Sequence, residues 1–416
     1  MMNILYLNHN VAGGGGTYYR AFHAARYLVR RGHKVTLFTI SPRNRWGFER
    51  ELREGVAIVQ TPDLFWGTGR TGWDPWDALH RVCALWNGSW DIVHAWDCRP
   101  VVILPALRAR QRSPLIIDWC DWFGRGGVQA ERPGWLAKLY GPVETYFEEA
   151  FRTYAQATTV ASRTLRERAL KLGVPADSIM MLPGGSDTGT IFPQEKAPAR
   201  KRLDIPSDVW VVGYMGALTC REAELLIDAV ARARNSVPNL CLLGIGVRLA
   251  GSSRPFQELC GGKPWIRNIP RIPFCEVNTH LAACDALVLP LRASISNAAR
   301  WPSKVNDYLA SGRPIVATRV GELAALLDQG IGIGTQDTPE AVAEGIVQLA
   351  SHPEFAEQLG RRGRALAEGD LNWSRLAEKL EDLYLRVSVG SSRVRVPARR
   401  PAQDANRELS KTPAAN

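Results

Sequence analysis

The sequence predicts an α/β protein of two doubly wound, Rossmann-like parallel-sheet domains facing a cleft. Three observations carry that expectation. The chain has 416 residues, more than one ordinary core organises and comfortable for two domains. Short apolar runs alternate with helical stretches along nearly its whole length, which is the order that builds parallel sheets. A charged, proline-bearing stretch at 193–206 separates two such alternations. Apolar content of 45 % and charged content of 22 % are the balance of a folded soluble protein.

The first alternation opens with Ile4-Leu5-Tyr6-Leu7 as a buried strand. The loop Gly13-Gly14-Gly15-Gly16 follows, then a helix over about 17–31 that Gly32-His33 ends, then a strand at 34–39. Further strands are expected at 91–94, 115–118, 158–160 and 179–182. The second alternation places strands at 209–215, 240–245, 286–289 and 314–318, with helices at 222–235 and 304–311. The domains are therefore drawn at 1–195 and 196–371. An amphipathic terminal helix at 372–389 is expected to pack back on the first domain. The segment 390–416, rich in Ser, Arg, Pro and Ala, is expected to be a disordered basic tail. No repeat of solenoid length is present.

Charge and cysteine usage narrow the function classes. Net charge is +11, and six Lys/Arg against two Asp/Glu lie between 390 and 416. That suits an anionic ligand or an anionic membrane surface and argues weakly for nucleic acid. The first seven residues lack a basic leader, and no stretch approaches the ~20 apolar residues of a membrane span. A cytoplasmic protein is expected, with contact at the inner face of the membrane left open. Eight cysteines contain no Cys-x-x-Cys pair, which argues for buried, reduced thiols and against a zinc ribbon or disulfide framework.

The segment Arg300-Trp301-Pro302-Ser303-Lys304-Val305-Asn306-Asp307-Tyr308 reads as a helix opening on proline. Amides near such a start carry partial positive charge suited to phosphate. Lys304 and Asp307 stand three apart and share a face, so a cation and an acceptor could hold phosphate and ribose hydroxyls. A surface Lys–Asp pair of small consequence is the competing reading. The loop 13–16 follows a strand and opens a helix, so the amides of Gly14 and Gly15 can approach a phosphate. It lacks the spacing of a dinucleotide fingerprint, and a merely flexible loop stays open. Ten of the fourteen tryptophans precede residue 195, among them Trp66, Trp73, Trp76, Trp86, Trp90, Trp119, Trp122 and Trp135. With nearby arginines they suit a sugar acceptor, or a lipid-linked one at a bilayer surface.

The run from Pro302-Ser303-Lys304 through Asp307-Tyr308-Leu309-Ala310 to Gly312-Arg313-Pro314-Ile315-Val316-Ala317-Thr318 resembles the donor-site signature of GT-B glycosyltransferases of family 4. The glycine loop, Asp91-Ile92-Val93-His94-Ala95, Gly173-Val174-Pro175, Leu182-Pro183-Gly184-Gly185-Ser186-Asp187 and Gly216-x-Leu218 resemble other motifs of that family, in its order. The likeness runs from about residue 3 to 387. It implies retaining transfer from a nucleoside-diphosphate sugar to an acceptor hydroxyl, with the leaving diphosphate helping to deprotonate the acceptor.

The resemblance also assigns residues. Asp307 stands where the family has a ribose-binding glutamate. Ala299 replaces a second glutamate that binds the donor sugar, with Arg300 or Asn297 as substitutes. Ala217 replaces a phosphate-binding arginine, and Arg221 lies near the accompanying lysine position. Cys120 replaces a histidine, while Asp121 is kept and is the candidate to align the acceptor; His94 is a second candidate, although a lone histidine at a strand end is more often structural. The expected catalytic set is thus Asp121, His94 and Lys304. Gly14, Gly15, Gly216, Arg221, Arg300, Ser303, Lys304 and Asp307 are expected to bind the donor. Asp118-x-x-Asp121 forms no convincing metal spacing, so no metal and no cofactor beyond the nucleotide-sugar co-substrate are expected. Expected partners are that sugar and a sugar or lipid-linked acceptor, with no nucleic acid and at most weak peripheral membrane contact. Two other classes stay open: a non-catalytic nucleotide- or glycan-binding protein of this fold, and a sugar-nucleotide epimerase.

Overall fold

The computed structural model describes residues 1–65, 71–131, 134–250, 252 and 254–391. Trp66 and the tail beyond 391 lie outside the described residues.

Strands β1 (Asn3–Val11), β2 (Lys34–Ile40), β3 (Glu49–Arg53), β4 (Val56–Thr61), β5 (Ile92–Trp96), β6 (Leu115–Trp119), β7 (Ala157–Val160) and β8 (Ile179–Met181) form the first sheet. Their order is β3-β4-β2-β1-β5-β6-β7-β8, parallel except where β3 pairs antiparallel with β4. The sequence reading contains neither β3 nor β4. The first, Glu-Arg-Glu-Leu-Arg, is an edge strand whose charges discourage pairing with another chain and hide its strand character. The second sheet holds β9 (Trp210–Leu218), β10 (Leu240–Leu249), β11 (Ile266–Ile269), β12 (Ala286–Leu289), β13 (Ile315–Thr318) and β14 (Gly332–Thr335). Its order is β11-β10-β9-β12-β13-β14, and every pair is parallel.

Both sheets are sandwiched between apolar layers, which explains the continuous apolar runs of their central strands. In the first, Ile4 and Tyr6 face one layer and Leu5 and Leu7 the other. In the second, Val212 and Tyr214 face one layer and Val211 the other. The helix Cys220–Ala233 begins in a capping box, with Glu222 N donating to Thr219 Oγ1 and Thr219 N to the Glu222 carboxylate. The helix Lys304–Ser311 ends on Gly312 in the left-handed conformation.

The last helix, Trp373–Ser391, returns to the first domain. Leu376, Leu380, Leu383 and Tyr384 join Ile4, Tyr6, Tyr18 and Leu28 in one buried cluster. Each such side chain contributes about 2 kcal/mol by leaving water. Glu381 of this helix is paired with Arg31 and His33. Two chain crossings therefore lie side by side between the domains, and Ser186 bridges to Asn372 there.

Candidate active site

Each sheet changes direction of winding once, between β1 and β5 in the first and between β9 and β12 in the second. Carboxyl ends of strands at such points leave a crevice.

On the second domain, β9 ends in Met215-Gly216-Ala217-Leu218. Gly216 has φ +82, and a Cβ added there would come within 3.1 Å of Lys304 Cε. The glycine thus admits the lysine stem. Lys304 Nζ donates to Ala217 O at 2.9 Å and lies 5.2 Å over the Tyr214 ring. Burial holds its pKa down to about 8; Arg300 and Arg248 push the same way, and Glu222 opposes them. Asp307 lies one turn on. Burial pushes its carboxyl up to about 7, and nearby Asp187 adds to the rise. Asp307 accepts no hydrogen bond and forms no ion pair among the described residues. Lys304 and Asp307 are thus two charged groups held partly out of water, neither with an opposite charge bonded to it.

The other donor-side expectations divide. Ser303 is exposed at the start of the Lys304–Ser311 helix, free of any side-chain capping bond. Arg300 Nη2 lies 3.7 Å from Glu222 Oε1, and its Nε is buried without a hydrogen bond. Asn297 Nδ2 donates to the same Glu222 oxygen at 3.1 Å, so Glu222 ties its own helix, Cys220–Ala233, to the helix Ile295–Ala299 and its cap Arg300. Arg221 is exposed on the first turn of its helix and pairs with no described carboxylate.

On the first domain, Gly15 has φ +82, and a Cβ there would strike the Asn10 side chain at 2.7 Å. It starts the helix Gly16–Arg30. Thr17 Oγ1 on that helix lies 3.3 Å from Cys120 Sγ, and the thiol donates to Asp121 Oδ2 at 3.3 Å. Burial pushes the Asp121 carboxyl up, opposed by Arg300 from the other domain. The Arg300 charge is thus close enough to act on Asp121 from the second domain.

His94 is not part of this site. It is the middle residue of β5, paired with Tyr6 and Ile116, and fully buried. Its Nδ1 meets Tyr384 Oη at 2.7 Å, its Nε2 meets Thr159 Oγ1 at 3.3 Å, and Trp96 stacks on the ring at 4.4 Å. Burial, then Arg20, hold it neutral, with its pKa well below the usual imidazole range. Both ring nitrogens are engaged, so His94 anchors the terminal helix and reaches no ligand.

Two groups missed by sequence reasoning sit at the first crevice. His9 Nδ1 lies 3.1 Å from Asp97 Oδ2, joining the end of β1 to the end of β5. Asp97 has φ +108, a strained backbone for a residue with a Cβ and a frequent mark of functional sites. Arg99 lies 3.7 Å from Asp97 and stacks 5.2 Å over Phe123. Asp97, Arg99 and Phe123, with Trp73, Glu144 and Phe147, border a cavity of about 20 Å³. The signal was polar sequence directly after two apolar strands, His9-Asn10 and Asp97-Cys98-Arg99. Of the other tryptophans, Trp76, Trp86 and Trp135 are exposed, and Trp119 is buried beneath Arg152.

Ala299 and Cys120, the two departures on the sugar side, belong to one apolar cluster with Trp119, Val160 and Ala161. Ala299 is 0 % exposed and Cys120 9 %. Ser162 Oγ donates to Ala299 O and Thr164 Oγ1 to Ala298 O, so the domains touch where polar sugar-binding groups were expected. Asp118 is buried and engaged by Arg20 and Thr159. Among the described residues no group of three His, Cys, Asp or Glu is placed to hold a metal ion.

Residues 13–185 match the family described as glycosyl transferase 4-like domain, and residues 209–352 match the glycosyl transferases group 1 family. The chain is a GT-B glycosyltransferase of the group 1 type. This glycosyltransferase is 27 % identical over 214 residues to a D-inositol 3-phosphate glycosyltransferase of Segniliparus rotundus, a match spanning 50 % of this chain and 46 % of that one. That alignment covers only about half of the relative's length. It is also 27 % identical over 383 residues to the GDP-mannose-dependent alpha-(1-6)-phosphatidylinositol monomannoside mannosyltransferase of Mycolicibacterium smegmatis, covering 89 % and 94 % of the two chains. Among solved structures, sucrose-phosphate synthase from Thermosynechococcus elongatus superposes with TM-score 0.72 at 17 % identity, covering 93 % and 99 %. The Anabaena HepE protein in complex with UDP-glucose gives 0.69 at 16 %, covering 93 % and 100 %. At these identities the solved structures share the fold. No described helix of this glycosyltransferase is long and apolar enough to cross a membrane.

Proposed function

We propose that the enzyme transfers a glycosyl group from a nucleoside-diphosphate sugar to an acceptor hydroxyl, with retention at the anomeric carbon. The observation that carries this is the pair Lys304 and Asp307, desolvated on one helix face at the carboxyl end of β9. A diphosphate supplies the negative charge that Lys304 lacks, and ribose hydroxyls supply the donors that Asp307 lacks. The GDP-mannose dependence of one relative and the UDP-glucose bound to one structural neighbour support a nucleotide sugar and leave base and sugar open between them.

In the transition state, negative charge grows on the departing diphosphate. Lys304 and Arg300 stabilise it, a kind of contact whose loss typically slows turnover by about 10²–10³-fold. The diphosphate oxygen then takes the acceptor proton on the face it has just left. Asp121 orients the acceptor hydroxyl, with the ionised carboxylate as hydrogen-bond acceptor. The acceptor enters from the first domain, beside Asp97 and Arg99 and outside the small cavity they border, which has room for about one water; it is read as a polyhydroxyl compound, free or lipid-linked. Peripheral contact with a membrane is part of the lipid-linked case.

The test is a thermal-shift screen against UDP-, GDP- and ADP-sugars, followed by NMR of the hydrolysis or transfer product of whichever stabilises the protein. Stabilisation by at least one donor and a product keeping the donor's anomeric configuration are expected. Stabilisation by none, or inversion, contradicts the reading.

A further inference from the structure

We propose that Arg248 is a second diphosphate-binding cation, brought beside Lys304 by a bulge in β10; this rests on the nucleoside-diphosphate reading of the cleft. Strands β9 and β10 run in step from Trp210↔Leu240 to Met215↔Ile245. The register then slips. The next pair is Ala217↔Arg248, so β10 spends three residues where β9 spends two. Gly246, at φ +59, sits inside the slip and supplies a conformation that side-chain-bearing residues rarely adopt.

The slip changes which side chain stands next to Ala217. In an unbroken register Val247 would occupy that place. Instead Val247 is buried, and Arg248 stands exposed beside Ala217 on the same sheet face. Ala217 is also the residue whose carbonyl holds Lys304 Nζ. Two cations therefore flank one small residue at the crevice of the second sheet. The Arg248 side chain forms no ion pair or hydrogen bond among the described residues, and it acts on Lys304 in the same unfavourable direction as Arg300. Glu222, already engaged by Thr219 and Asn297, is the carboxylate that opposes them.

Like charges gathered in a half-buried crevice repel unless an anion joins them. One phosphate is satisfied by Lys304 and the amides near it. The charge supplied by Arg248 is matched by a second phosphate, which makes a diphosphate the complementary ligand. Bulges next to active sites commonly re-aim a side chain in this way.

Calorimetric titration separates this from a solvated surface arginine. The probes are UDP, GDP and ADP and the corresponding monophosphates, against wild type, Arg248→Ala, Lys304→Ala and the double variant Arg248→Ala/Ala217→Arg. For the base that binds, Arg248→Ala is expected to weaken the diphosphate about 10-fold and the monophosphate less than about 3-fold. Placing the guanidinium on the neighbouring strand in the double variant is expected to restore most of the diphosphate affinity. Unchanged diphosphate affinity in Arg248→Ala, or equal loss for both nucleotides without restoration, overturns the proposal. In either case wild-type binding that falls in Lys304→Ala leaves the donor-site reading standing. Wild type binding none of the six nucleotides removes both.

Discussion

Lys304 and Cys120 stand on opposite walls of one cleft, and their surroundings differ in kind. The Lys304 wall gathers charged groups whose partners are missing: Lys304, Asp307, Arg248 and the buried Arg300 Nε. The Cys120 wall pairs more of its charge internally. Cys120 bonds Thr17 and Asp121, and Asp118 bonds Arg20 and Thr159, although Asp118 Oδ2 and Arg20 Nε and Nη1 stay buried without a hydrogen bond. A wall left electrostatically incomplete gains most when a charged ligand arrives. A wall whose charges are mostly paired gains less from one, and the apolar cluster that holds Ala299 and Cys120 limits the room for a sugar there.

The sharpest way to break this contrast is to put the absent carboxylate back. Ala299→Glu would bury a charge against Trp119 and Cys120 and is expected to cost about 3–5 kcal/mol. A urea midpoint equal to that of wild type would mean that the domains do not close there.

Next in size is a paired experiment on the two residues once expected to act together. His94→Ala removes a buried ring with both nitrogens bonded and is expected to cost about 2–4 kcal/mol of stability, with donor affinity unchanged. Lys304→Ala is expected to do the reverse, retaining the fold and weakening the donor at least about 10-fold. Equal effects of the two on affinity would erase the division between core and site.

That division shows what the sequence could and could not reveal. The alternation from Ile4 to Thr39 and the segment 300–318 were legible because period, glycine placement and proline act locally. Lys304 and Asp307 were legible because three residues on a helix fix a shared face. His94 misled because a polar residue in an apolar strand looks the same whether it faces a ligand or a tyrosine 290 positions away. The His9–Asp97 pair and the meeting of Ala299 with Cys120 depend on strand order and domain closure, which no local pattern encodes. The bulge at Gly246 was invisible for the same reason: β10 reads as one apolar run.

A smaller effect concerns pH. Asp307 is raised from its usual 3.8 to about 7, so the folded protein keeps a proton that the unfolded chain releases. Its destabilising contribution is absent below about pH 4, grows between pH 4 and 7, and is complete above 7. Lys304, lowered from 10.5 to about 8, contributes its cost below pH 8 and loses it as pH rises toward 10.5. Between pH 7 and 8 both costs are present, which is where a bound donor relieves most. Asp307→Asn is therefore expected to stabilise the ligand-free protein by about 1–3 kcal/mol at pH 8, a gain that disappears by pH 4. Melting curves of the two proteins across that range measure it. A gain independent of pH would assign the effect to packing instead.

The most direct measurement of the central claim is calorimetric titration of the best-stabilising nucleotide sugar into wild type and Lys304→Ala at pH 7.5. Binding by wild type and an affinity lower by at least about 10-fold in the variant are expected. Equal affinity in the two proteins would place the donor away from the Lys304–Ser311 helix and contradict the account.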